Sequence, residues 1–87
     1  MPHKGEDMTW NFRLVDMTAV NDGEPWIEVK EVFYEDEKPV GYTSATVGGE
    51  SAADIKKDLL RMLIACNNPV LILDADDKFI DDRTKGE

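Results

Sequence analysis

The chain has one cysteine, Cys66, and one histidine, His3. A lone cysteine cannot close an internal disulfide, which excludes a small secreted scaffold stapled by sulfur. A lone histidine assembles neither an imidazole-based acid–base pair nor a zinc site. Long hydrophobic runs are missing as well. The longest cover residues 62–66 and 70–73, far short of the ~20 residues that cross a bilayer. No charged-then-apolar start suggests a secretory signal, and a cytoplasmic location is expected. Positive charge is scarce: 10 Lys and Arg stand against 19 Asp and Glu, a net charge of -9. Proteins that bind nucleic acid directly do so by neutralising phosphates, and this balance runs the other way.

What remains is 87 residues that are 41% hydrophobic and 33% charged. That is one small domain with a thin core and a heavily solvated surface. Residues 1–7 are polar and carry Pro and Gly, so they read as a disordered leader. Residues 81–87 have no apolar side chain and read as a disordered acidic tail. The single α+β domain is expected over residues 8–80.

Within it, Trp10, Phe12 and Leu14 alternate with Asn11 and Arg13, the period of a half-buried strand. Asn21, Asp22 and Gly23 mark a turn. A second strand is expected over residues 26–34, where the alternation of Ile27 and Val29 shifts phase at Val32 and Tyr34. A β-bulge near Lys30 and Glu31 restores it, and burial of both faces near Phe33 is the competing reading. A turn over residues 35–39 leads to a third strand over 40–47, broken by Gly48 and Gly49. Ser51 is then an N-cap with Asp54 three residues later, a short-armed capping box. Ala52, Ile55, Leu59, Met62, Leu63 and Cys66 repeat at helical spacing as one apolar stripe, with Lys56, Lys57, Asp58 and Arg61 opposite. Leu59 is expected to fill the contact between helix and sheet, and Cys66 to be a small buried thiol. Asn67, Asn68 and Pro69 stop the helix, and residues 70–73 are a last strand or an extended segment. The expected order is β-β-β-α-β. It makes a two-layer sandwich in which one amphipathic helix packs on one face of an antiparallel sheet of three to four strands.

Chemistry-bearing clusters are few. Asp74, Asp76 and Asp77 follow an apolar strand, a place where phosphotransfer enzymes hold Mg²⁺. A calcium loop begun at Asp74 has Phe79 where Gly is needed and Lys85 where Glu is needed. An acidic solvated tail after the last strand is the simpler expectation, with no catalytic residue, cofactor or metal. Trp10, Phe12 and one of Phe33 and Tyr34 are expected in the core. Trp26 opens its strand beside a turn and is the candidate anchor for a partner. Acidic residues concentrate around it, so Trp26, Glu28, Glu31, Glu35, Asp36 and Glu37 form the candidate partner-binding set.

Residues Trp10 to Val15, Glu31 to Pro39, Gly49-Glu50-Ser51 and Asn68 to Leu71 together resemble a group of small bacterial and phage-related hypothetical proteins. The likeness covers about 65 residues and implies a family without an activity. At the level of topology the chain also resembles HicB-type antitoxin domains, which implies a basic protein partner and a tendency to oligomerise. It departs from them in its proline and glycine pattern and in having no helix-turn-helix or ribbon-helix-helix extension. The expected function is a non-enzymatic protein-interaction or regulatory module that binds a protein partner, basic in character, through its sheet. A homodimer is a possible assembly, and no membrane contact is expected. The alternatives are an acidic phage-type inhibitor that imitates nucleic-acid phosphates, and a small Mg²⁺ enzyme built on Asp74, Asp76 and Asp77.

Overall fold

A computed structural model describes residues 8–80. The leader and tail read from the sequence lie outside the described residues. Four strands form one sheet: β1 (Met8–Asp16), β2 (Ile27–Glu35), β3 (Lys38–Ser44) and β4 (Leu71–Ile72). A 3-10 turn (Thr18–Val20) follows β1, and α1 (Ala52–Ala65) lies between β3 and β4. The spatial order is β3-β2-β1-β4.

β1 and β2 pair antiparallel without interruption from Met8↔Glu35 to Asp16↔Ile27. The register therefore passes unbroken through Lys30 and Glu31, where a bulge was expected. The irregularity falls instead between Phe33 and Tyr34, on the β3 side. Phe33 pairs with Gly41 and Tyr34 with Pro39, so the surplus residue is Val40 on β3. Proline has no N–H for a ladder, so the strand slips by one residue beside it. The β2–β3 loop is Asp36 and Glu37, with φ of 53° and 67°, a two-residue turn of the kind that matches strand twist.

The sheet is mixed and curled, not antiparallel. β4 pairs parallel with β1, Val15↔Leu71 and Asp16↔Ile72. The reason is geometric. A strand–helix–strand connection brings the chain back to its starting end, so β4 runs with β3 and hence with β1.

The core is Val15, Val32, Leu71 and Leu73, closed by Met17, Tyr34, Tyr42 and Phe79. It lies on the sheet face shared by Val32 and Tyr42, which pair across β2 and β3. The cover on this face is the segment after β4, where Leu73 bridges to Phe79. Trp10, Phe12 and Leu14 are on the other face. Phe12 is buried, but Trp10 is 48% exposed and meets Phe12 edge-on at 5.4 Å.

The helix corrects the two-layer expectation. Ser51 is its N-cap, and its hydroxyl accepts from the Asp54 N–H at 3.4 Å. The Asp54 carboxylate accepts from the Glu50 N–H at 3.0 Å, one residue before the usual capping-box donor. The helix packs chiefly against β1, and it does so by the side that holds Ala65, its one buried residue at 1% exposure. Met62, Asp58 and Asp54 are half-buried. Ile55, Leu59, Leu60, Leu63 and Ile64 face solvent, Leu63 at 62% exposure, and Cys66 is exposed rather than buried. Apolar residues occupy more of this helix than one stripe, and small Ala65 permits the closest approach to β1. The broad branched side is left outside.

Candidate functional site

Trp26 is the best-defined exposed feature. The residue is 55% exposed, yet it is held at three points, two on its backbone and one on its indole. The Trp26 N–H donates to Thr18 Oγ1 at 3.2 Å, and its carbonyl accepts from the Met17 N–H at 2.8 Å. The indole Nε1–H donates to Glu28 Oε1 at 3.1 Å. Thr18 is fixed in turn, because its N–H donates to Asp16 Oδ1 at 2.9 Å. The Thr18 hydroxyl, then its backbone N–H, hold the Asp16 carboxyl below the usual carboxylate range against a small opposing effect of burial. Sequence reasoning singled out Trp26 but not Asp16, Met17 or Thr18. A Thr two residues after an Asp at a strand end is a recognisable turn signal, so that support was findable.

The candidate acidic set does not assemble on one surface. Glu28 pairs with Val15 and Glu31 with Phe12, which places them on opposite faces of the sheet, since side chains alternate along a strand. Glu28 leans on Lys30 at 3.5 Å. Glu35, Asp36 and Glu37 sit at the far end of β2, roughly 30 Å from Trp26 at ~3.3 Å per residue. Only Trp26 and Glu28 are brought together.

Basic groups line the core face instead. Lys30 is buried, with its ammonium 5.5 Å from the centre of the Tyr42 ring. Arg13, opposite it in the ladder, donates to Tyr34 Oη at 3.2 Å and to the Pro69 carbonyl. The Tyr34 hydroxyl in turn donates to Asn11 Oδ1 at 2.8 Å. Arg13 Nε is buried and has no hydrogen-bond partner among the described residues.

The Asp74–Asp77 cluster is a folded turn. Asp74 Oδ1 accepts from the N–H groups of Asp76 and Lys78 at 2.8 and 3.1 Å. Asp77, with φ of 66°, accepts the hydroxyl of Tyr42. That bond, then burial and the negative charges of Asp77 and Glu28, push the Tyr42 pKa up to about 12. Among the described residues no group of three or more His, Cys, Asp and Glu converges as a metal site would.

A cleft of about 420 Å³ opens between β1 and α1, lined by Trp10, Asn11, Phe12, Arg61, Ile64 and Asn68. It has no nucleophile beside a base. Among the described residues no helix is long and apolar enough to cross a membrane. The chain matches no protein-family model, and no curated protein or solved structure matches it either.

Proposed function

We propose that this chain is a non-enzymatic interaction module that binds a protein partner at the Trp26 end of its sheet. The observation that carries the reading is an exposed indole hydrogen-bonded to Glu28 on a backbone that is itself pinned to Met17 and Thr18. A rigid aromatic side chain loses little freedom when a partner covers it, which is why such residues dominate binding energy. Ile27 beside it is equally exposed, and Glu24 and Glu28 supply a negative rim suited to a basic partner. Glu35, Asp36 and Glu37 are too far away to touch the same contact, and their role is long-range steering.

The distribution of carboxylates supports an anchored apolar contact over a phosphate-imitating surface, which needs its charges in one array. The engagement of the Asp74 carboxylate within its own turn and of Asp77 with Tyr42 supports the non-enzymatic reading over Mg²⁺ chemistry.

The test is a partner captured from the protein's own cell extract and then titrated against the parent chain and Trp26→Ala. Loss of a central aromatic anchor weakens binding about thirtyfold or more. Added salt weakens the parent complex as its charged rim is screened. A partner that binds Trp26→Ala as tightly as the parent ends this reading, as does a chain that captures nothing.

A further inference from the structure

The helix presents to solvent the kind of surface that proteins ordinarily bury. Ile55, Leu59 and Leu63 form one ridge at four-residue spacing, and Leu60 and Ile64 form a second beside it, with Lys56 at its head. Together they expose on the order of 500 Å² of aliphatic surface, at the upper end of the ~300–600 Å² patches found on monomers. With a polar rim, that approaches the ~800 Å² per partner of a standard interface.

We propose that α1 is a homodimer interface, occupied by α1 of a second copy running antiparallel across a two-fold axis near Leu59 and Leu60.

Three observations select this occupant. The first is shape. Two adjacent four-residue ridges with a groove between them are what a second helix of the same kind fills, ridge into groove. A two-fold axis makes one such surface complementary to itself. The second is charge. The helix carries Lys56, Lys57 and Arg61 against Asp54 and Asp58, a net +1 on a chain of net -9. A basic partner is therefore disfavoured here, and a second acidic body is not. Antiparallel pairing also brings Lys56 toward the partner's helix C-terminus, whose last turn has no basic residue of its own. A cation there complements the helix dipole. The third is the composition of residues 1–7 and 81–87, whose only apolar residues are Met1 and Pro2, so these residues supply no matching aliphatic side chains.

This interface goes beyond the Trp26 reading and stands apart from it. Ile27 pairs with Asp16, whereas the helix lies beside Trp10 and Phe12 at the other end of β1.

Sedimentation of the full chain over a range of concentrations is expected to show a monomer–dimer equilibrium. Leu59→Glu and Leu63→Glu are each expected to raise the dimer dissociation constant about thirtyfold or more. Both positions are exposed in the single chain, so circular dichroism should show the fold retained. A spin label on the native Cys66 needs no substitution and gives a second measurement. An antiparallel pair separates the two labels by on the order of 20 Å, from ~1.5 Å rise per residue and an ~8–10 Å interaxial distance. Salt distinguishes this contact from the Trp26 complex: the homodimer of two acidic chains tightens as repulsion is screened, while the basic-partner complex loosens. A chain that stays monomeric when concentrated overturns the proposal. So does a dimer indifferent to both glutamates, or labels closer than about 15 Å, which require helices running parallel.

Discussion

Tyr42 donates its hydroxyl hydrogen bond to Asp77, meets Phe79 edge-on at 5.9 Å and lies beneath the Lys30 ammonium. One side chain thus ties β3, β2 and the segment after β4 into a single closure. Its pKa rises from 10.0 to about 12 on folding, so the proton is held more tightly in the folded state. The hydrogen bond therefore stabilises in full below about pH 10 and is lost as pH rises through 12. Tyr42→Phe is expected to lower the melting temperature at neutral pH and to flatten its decline between pH 10 and 12. Melting curves across that range check this, and a variant with the parent's alkaline slope would assign the slope to another group. Asp36 and Glu37 show the opposite situation at this scale. Both hold positive φ without being glycine, a strained conformation for such residues that the tight β2–β3 turn imposes.

At the scale of elements, the start of α1 depends on one close approach. A Cβ added to Gly49 would lie 2.3 Å from Asp54 Cβ, whereas one added to Gly48 meets nothing within 4 Å. Gly49→Ala is accordingly expected to destabilise by ~1–3 kcal/mol through forced displacement of the cap. Gly48→Ala should be close to neutral. Equal denaturation midpoints for the two would show that the cap moves freely. The sequence reveals the strands and this helix start because both depend on nearest neighbours: alternation at Trp10 to Leu14, the cap at Ser51, the break at Pro69. It does not reveal which side of α1 turns inward. The periodicity at Ile55, Leu59 and Leu63 says only that the residues share a face, and what covers that face is a tertiary or quaternary matter. The slip at Val40 was equally hidden, since it arises from Pro39 meeting Tyr34 across the ladder rather than from the pattern within β2. The candidate acidic set failed to assemble for a related reason. Glu28 and Glu31 are close in sequence, but a strand sends residues an odd number apart to opposite faces.

At the scale of the whole molecule, the buried apolar residues among those described are Phe12, Val15, Val32, Ala65, Leu71 and Leu73, against a dozen large apolar side chains left exposed. A fold with so few buried groups responds strongly to the loss of any one. Leu73→Ala is expected to cost ~2–5 kcal/mol by opening a cavity, enough to unfold a domain of this size. Leu59, the position that helical periodicity alone marks as interior, is 53% exposed. Leu59→Ala should therefore cost under ~1 kcal/mol when the chain is dilute. Chemical denaturation of the two variants side by side checks the inverted ranking.

The pairing of Val15 with Leu71, and of Leu73 with Phe79, has a consequence for how the molecule is made. A ribosome releases the first strand long before it has synthesised the residues that cover it. At ~5–20 residues per second the interval from Val15 to Phe79 lasts roughly 3–13 s. Throughout that time Val15 lacks the side chains of Leu71, Leu73 and Phe79 that close over it in the fold. The covering side chains are thus the last of the core to be made, and the turn at Asp74 to Asp77 brings Phe79 back against Leu73.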